Sequence, residues 1–254
     1  MTGLFDQTLR AARRDRAAAV GPELFLLERA FADCLERLAM MERRFDRALL
    51  IGCPDRHWPA RLQEFAGAVD VVDPGARFAS AASGRTRLQD PAAPATYDLV
   101  VAIGTLDTDD DLPVALRSIH QTMRADGLVI GAMSGGDTLP QLRTAMRAAD
   151  QASGVASAHV HPRIEASALA PLLEIAGFVA PVVDVDRVMV RYPSLMKLVD
   201  DLRRMAATNI LDARSRQPLS RSAYFAAVEA FIAAGDGERT TETLEILHFA
   251  ARSK

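Results

Sequence analysis

The 254-residue chain is poor in cysteine, in aromatic side chains (6%) and in long apolar runs. Its two cysteines, Cys34 and Cys53, are too few for a disulfide framework, which favours a reducing compartment. No apolar run reaches the roughly 18 residues that a membrane-spanning helix needs, and residues 1–21 lack the apolar core of a signal peptide. A formal net charge of −3 argues against a general nucleic-acid binder.

The rest of the composition is that of an ordinary soluble globular protein, with 49% apolar and 25% charged residues. Basic residues are concentrated near the start of the chain, at Arg10, Arg13, Arg14 and Arg16. Asp6 and Asp15 interrupt this cluster, which favours a solvated helix face. A docking patch for a partner or a membrane surface is the alternative that stays open.

Apolar strands alternate with amphipathic helices along most of the chain. The predicted strands cover 48–51, 69–72, 85–89, 97–103, 128–133, 178–190 and 240–250. Strands joined by helices build parallel sheets, so the pattern predicts an α/β, Rossmann-like, doubly wound and mostly parallel seven-stranded sheet. We expect one domain over 1–254, with an N-terminal helical segment at 1–47 and a helical insertion at 193–233 that caps the fold before the last strand.

The stretch 48–75 carries the clearest functional pattern. An apolar strand enters a turn at Gly52 and Cys53, and Asp73 ends the next apolar strand 21 positions after Gly52, followed by Pro74. In Rossmann-like folds such a turn approaches a nucleoside, and such an acid accepts hydrogen bonds from ribose hydroxyls. The spacing therefore predicts a nucleoside cofactor site at Gly52, Cys53, Asp73 and Pro74.

Two later loops would complete this cofactor site. Asp90 follows the predicted strand 85–89 and is the candidate for the adenine edge. Ile103 and Gly104 end the strand 97–103, where cofactor and substrate meet in folds of this kind. A plain connecting loop is the structural alternative for Ile103 and Gly104.

Several segments together resemble the class I S-adenosylmethionine-dependent methyltransferases. They are Leu49-Leu50-Ile51-Gly52-Cys53, Val72-Asp73-Pro74, Tyr97-Asp98-Leu99-Val100-Val101, 112–119 and 124–128. Further segments resemble one group within that family, which contains the methyltransferase-like assembly factor of respiratory complex I and the malonyl-carrier-protein methyltransferase of biotin synthesis. These segments are 5–6, 13–17, 131–139, 181–187, 192–193, 201–205 and 208–209.

This resemblance implies S-adenosylmethionine as the cofactor and a protein or carrier-protein as the substrate. It also implies a complex I subunit as a partner, since the assembly factor is associated with hydroxylating an arginine of such a subunit. The location implied is cytoplasmic or peripheral at the inner membrane, with no nucleic acid partner and no integral membrane segment. The catalytic residues and the oligomeric state stay open.

The loop after the first strand departs from the family pattern. The family's acid falls on Leu50, and its later glycines fall on Pro54 and Arg56. Proline removes a backbone donor and fixes φ, and Arg56 adds bulk and positive charge. This degenerate loop predicts weak or lost cofactor binding. Two functions therefore stay open: a methyltransferase-like enzyme, and a non-catalytic assembly or interaction module on a retired methyltransferase fold.

Other polar residues have structural interpretations that we weigh ahead of functional ones. The acids at 109–111 are expected to cap the following helix. His159 and His161 lack an evident third ligand, so no metal site is predicted. Arg163 is a candidate to meet a carboxylate or peptide. Five charged residues are expected to form ion pairs that tie the insertion to the sheet: Asp184, Asp186, Arg187, Arg203 and Arg204.

Overall fold

The computed structural model describes residues 3–87 and 95–254, which form one sheet with helices packed on both faces. The strands are β1 (Phe45–Ile51), β2 (Ala66–Val72), β3 (Tyr97–Ile103), β4 (Met123–Ser134), β5 (Phe178–Tyr192) and β6 (Thr240–Ser253). The helices are α1 (Gln7–Val20), α2 (Phe25–Met40), α3 (Trp58–Leu62), α4 (Ala76–Ala81), α5 (Leu112–Thr122), α6 (Pro140–Ser153), α7 (Ala166–Ile175), α8 (Leu195–Arg204) and α9 (Arg221–Ala233). None of these helices is long and apolar enough to cross a membrane.

The strand order is β2-β1-β3-β4-β6-β5, and β1 to β4 run parallel while β6 is antiparallel to both of its neighbours. This topology confirms the predicted Rossmann-like, mostly parallel α/β fold. The carboxyl ends of β1, β2 and β3 lie side by side at one edge of the sheet. Ligands bind at this edge in folds of this class.

The described residues contain six strands rather than the predicted seven. The predicted strand 85–89 contributes a single bridge, in which Arg85 pairs with β2 at Val72. The N–H of Arg85 donates to the carbonyl oxygen of Val71, and its carbonyl oxygen accepts from the N–H of Asp73, at 3.0 Å each. The chain then leaves the sheet. Arg85, Thr86 and Arg87 offer no apolar face to bury, which explains why the pairing stops. Residues 88 and 89 lie outside the described residues.

The two faces of the sheet bury separate apolar layers. On one face Leu50 and Val101 pack with α2 and α3, where the rings of Phe31 and Trp58 stack at 4.3 Å. On the other face Leu49 packs with α5 and α7. Strand β3 is buried on both sides, as its continuous apolar sequence predicts. A third apolar cluster joins α6, α8 and α9, and the last two of these helices lie in the chain between β5 and β6.

Candidate functional site

The predicted nucleoside-site residues meet at the carboxyl edge of the sheet. Gly52 turns the chain with φ +84°, and a Cβ there would lie 2.2 Å from the carbonyl oxygen of Ile103. Glycine is therefore required for the turn after β1 to approach β3 so closely. Gly104 also has a positive φ of +59° at the end of β3. Asp90, the remaining candidate for the adenine edge, lies outside the described residues.

The carboxylate of Asp73 is fully buried and accepts four hydrogen bonds. Arg14 donates from Nε to Oδ1 at 2.7 Å and from Nη2 to Oδ2 at 2.5 Å. The backbone N–H of Cys53 donates to Oδ2, and that of Gly75 donates to Oδ1, both at 2.8 Å. Two donors on each oxygen use the full accepting capacity of an ionised carboxylate. The acid predicted to bind a ribose is thus saturated by the protein itself.

Helix α1 brings Arg14 to this acid by lying against α4. Asp15 accepts a hydrogen bond from the N–H of Arg77 at 2.8 Å, and the Arg14 guanidinium lies 5.2 Å from the centre of the Phe78 ring. The contact is close, because a Cβ on Gly75 would sit 2.7 Å from the Cβ of Arg14. Helix α1 therefore covers the position where a nucleoside would meet β2.

The solvated-face interpretation of the N-terminal arginines is wrong for two of the four. Arg14 is buried against Asp73, and Arg10 donates to the carbonyl oxygen of Thr105 at 2.5 Å. Burial, with the nearby charge of Arg14, lowers the pKa of Arg10 to about 10. Arg14 leaves the solvated face because the buried carboxylate of Asp73 requires a countercharge. Arg16 is exposed, as expected.

The loop after Gly52 offers few groups for a ligand. Cys53 is buried, and this burial together with the charge of Asp73 raises the pKa of its thiol to about 12, so the thiol stays protonated. Pro54 has no N–H to donate. Arg56 is exposed. Trp58 is a buried packing residue, and its indole N–H donates to Glu28 at 2.8 Å.

A cavity of about 110 Å³ lies beneath α1, at the ends of β3 and β4. Its wall includes Arg10, Arg14, Gly104 and a buried ion pair between Asp107 and Arg163. Burial lowers the pKa of Arg163 to about 10. Pockets for drug-sized ligands occupy roughly 300–1,000 Å³. With α1 in place, this cavity is therefore too small for a nucleoside cofactor.

His159 and His161, for which no metal site is predicted, have separate partners. His161 is buried, and its Nε2 accepts a hydrogen bond from the N–H of Ile210 at 2.9 Å. Burial and the charge of Arg143 lower its pKa to about 4, so it is neutral near pH 7. His159 lies 2.7 Å from Asp150. Over residues 3–87 and 95–254, no group of three or more His, Cys, Asp or Glu side chains is arranged to hold a metal.

Of the acids at 109–111, which are expected to cap the following helix, Asp111 does so. Asp111 accepts from the N–H of Val114 at 3.0 Å and so begins α5. Asp110 accepts from the N–H of Phe5 at 2.6 Å and holds the start of the described chain against this loop. The acids therefore satisfy backbone donors, one of them belonging to the N-terminal segment.

The charges on β5 form ion pairs, as expected, but these pairs do not reach the insertion. Asp186 pairs with Arg29 at 2.6 Å and Asp184 pairs with Arg37 at 2.5 Å, so both join β5 to α2. Arg187 pairs with Glu245 of β6 at 3.0 Å. The expectation that this network ties the insertion to the sheet is wrong, because α2 packs against this face of β5. Arg203 and Arg204 take no part in it.

Sequence reasoning missed the two buried ion pairs of the site, Arg14–Asp73 and Asp107–Arg163. Their members lie 59 and 56 positions apart, so no local spacing signals either pair. The available signal is chemical: an acid at the end of a buried strand needs a countercharge. That requirement shows that a partner exists without showing which arginine supplies it.

Comparison with known proteins agrees with this fold. Residues 25–181 match the family described as "Methyltransferase domain". The chain is 30% identical over 220 residues to "Arginine-hydroxylase NDUFAF5, mitochondrial" of Danio rerio, covering 81% of this chain and 68% of that protein. It is 31% identical to "Malonyl-[acyl-carrier protein] O-methyltransferase" of Laribacter hongkongensis, covering 62% of this chain and 52% of that protein.

A solved structure shows the same fold. N-methyltransferase NodS from Bradyrhizobium japonicum, in complex with S-adenosyl-L-homocysteine, aligns with a TM-score of 0.52 at 14% identity, covering 96% of this chain and 98% of that chain. This similarity shows the fold alone, while the family match covers well over half of the chain. The protein therefore belongs to the methyltransferase domain family.

Proposed function

We propose that this chain is a methyltransferase-fold protein that binds a protein partner during respiratory complex I assembly, with its nucleoside site closed by helix α1. The saturation of Asp73 by Arg14 and two backbone N–H groups carries the proposal. The similarity to a mitochondrial arginine-hydroxylase, whose name specifies an arginine, supports a protein-borne target. Such a role places the chain in the cytoplasm, at the inner membrane surface where complex I is built.

The residues at this edge do not fit S-adenosylmethionine in the arrangement they have. Ribose hydroxyls need an acceptor, and both oxygens of Asp73 are fully engaged. Pro54 supplies no backbone donor, and the cavity beneath α1 measures about 110 Å³.

The second candidate is methyl transfer to a protein or carrier-protein by a form in which α1 has moved. It is favoured by Gly52 and Asp73, which hold their places at the strand ends. In addition, an open groove of about 790 Å³ lies between Pro54 and the helix α4. Release of Arg14 would free Asp73 beside this groove. The two candidates differ in whether the wild-type protein binds the cofactor.

Isothermal titration with S-adenosylmethionine tests this difference. We expect no binding to the wild-type protein at millimolar ligand, because Asp73 has no accepting position left. Arg14→Ala frees one accepting position on each oxygen of Asp73, and this variant should bind the cofactor more tightly than wild type. Arg13→Ala is the matched control, since the neighbouring arginine does not contact Asp73. Micromolar binding to the wild-type protein would favour the second candidate and reject the closed site.

The assembly role is tested separately in a strain that lacks the gene. We expect the NADH:ubiquinone activity of its membranes to fall, and both the wild-type gene and an Asp90→Asn version to restore it. Asp90 is the predicted adenine contact, so it is dispensable if the protein works without the nucleoside. Unchanged activity in the deletion strain would remove complex I assembly from the proposal.

A further inference from the structure

Arginines without carboxylate partners gather where α1 packs against the cap helix α8. Arg13 and Arg16 project from α1, and Arg203 and Arg204 end α8. Across the part of the chain that the structure describes, none of these four forms an ion pair or a hydrogen bond through its side chain. A fifth, Arg214, pairs with Asp6 at 3.1 Å. We call Arg13, Arg16, Arg203, Arg204 and Arg214 the arginine seam.

Within the arginine seam, Arg13 is the member whose positive charge is disfavoured by its surroundings. Burial and the charges of Arg16, Arg214 and Arg203 all lower the pKa of Arg13. The Nε atoms of Arg13 and Arg204 are also buried without an acceptor. Like charges held together and buried donors left unpaired both cost free energy. Because the whole chain has a net charge of −3, the positive seam is a local feature rather than a consequence of composition.

An apolar groove of about 500 Å³ begins beside the seam, with Arg203 in its wall. The groove runs between α6, α8 and the segment that precedes α9. Its apolar lining includes Met146, Leu195, Met196, Val199, Leu219 and Tyr224. Met196 and Leu219 are 43% and 41% exposed, so this lining is open to solvent. Arg203 therefore belongs both to the arginine seam and to the wall of this apolar groove.

We propose that the arginine seam and its groove bind an acidic amphipathic segment of a protein partner. Carboxylates of the segment would accept from the guanidinium groups, which present paired donors that match a carboxylate. Its apolar side chains would enter the groove, the arrangement in which amphipathic helices bind. The inference rests on the proposed function only in taking the partner to be a protein. It requires neither an open nor a closed nucleoside site.

Fluorescence anisotropy with a designed probe tests the proposal. The probe is a labelled helical peptide with leucines at i, i+3, i+4 and i+7 and glutamates on its other face. We expect the Arg13→Gln, Arg203→Gln double variant to bind it at least about tenfold more weakly, because two charge-assisted contacts are lost. Arg117→Gln is the control, since Arg117 is exposed on α5, away from the seam. It should bind as the wild-type protein does.

A thermal melt separates this role from a structural one. Removing two like charges should leave the melting temperature of the double variant equal or higher, whereas arginines that hold the fold together would lower it. Equal binding of the probe by wild type and double variant would overturn the proposal. Tighter binding to phosphatidylglycerol vesicles than to the peptide, through the same arginines, would also overturn it. Neither outcome changes the S-adenosylmethionine titration, so the two proposals fail separately.

Discussion

At the scale of single residues, Arg14 determines the state of the candidate site. Asp73 is the residue whose position best matches a nucleoside-binding acid, yet its oxygens are occupied by one guanidinium and two N–H groups. A guanidinium group can donate one hydrogen bond to each oxygen of a carboxylate at the same time. The bidentate arrangement therefore resembles the way a ribose diol is held, with the protein's own side chain as the occupant.

Breaking this pair should destabilise the protein more than removing both charges. We expect Arg14→Met to lower the free energy of unfolding by about 3–5 kcal/mol, because it leaves a buried carboxylate without its countercharge. Adding Asp73→Asn removes that charge and should recover part of the loss. Urea unfolding measures both values.

The exposed neighbour Arg16 supplies the control for this pair. Arg16→Met should change the free energy of unfolding by no more than about 0.5 kcal/mol, as exposed substitutions usually do. An Arg14→Met loss as small as that of Arg16→Met would mean that the ion pair contributes nothing to stability. A double variant as unstable as Arg14→Met alone would show that the carboxylate charge is not the cause.

At the scale of elements, the sequence predicts those strands and helices whose positions are set by apolar periodicity and burial. The strand 97–103 is apolar at every position except Asp98 and is found at those positions as β3. Of the described part of the predicted strand 85–89, residues 85–87 are polar and cannot bury a face, and Arg85 pairs with β2 through a single bridge. Gly52, Asp73 and Gly104 could be placed at one edge, since parallel strands end together. What covers that edge depends on contacts between distant segments.

Helix α1 is the element that could not be placed from its own sequence. Its arginines suit a solvated face as well as a docking surface, and few of its residues are buried, Arg14 and Ala17 among them. Ionic and polar contacts hold it instead: Asp6 pairs with Arg214, and Asp15 accepts from the N–H of Arg77. A helix held by such contacts carries no apolar stripe that would predict its neighbours.

At the scale of the whole molecule, His161 joins three distant parts of the chain. It follows α6 in the chain, faces the ring of Phe5 at 5.3 Å, and accepts from the N–H of Ile210 beyond α8. Arg163 lies 3.3 Å from its Nδ1. The contact therefore links the N-terminal segment, the cap and the wall of the buried cavity, and it needs a neutral imidazole because Nε2 is the acceptor.

This requirement predicts a loss of stability in mild acid. The pKa of His161 is lowered by burial from its ordinary 6.5 to about 4. The unfolded chain therefore takes up a proton that the folded protein resists. The free energy that neutral His161 contributes to stability is present above pH 6.5. It is lost as the pH falls toward 4, by up to about 3 kcal/mol. His161→Gln lacks the titrating group and should lose less stability than wild type between pH 6.5 and 4.5.

Urea unfolding followed by circular dichroism at these two pH values measures the difference, and the comparison uses the change with pH rather than the absolute stability. His248 is also buried, and its pKa is lowered chiefly by that burial, so it contributes in the same direction. His248→Gln is therefore measured beside His161→Gln. Because the pKa of His161 is lowered as far as about 4, His161→Gln should flatten the pH profile of stability more than His248→Gln does. Equal pH profiles for wild type and His161→Gln would mean that the imidazole binds a proton as readily in the folded protein as in the unfolded chain, so it is not held neutral as the acceptor for Ile210.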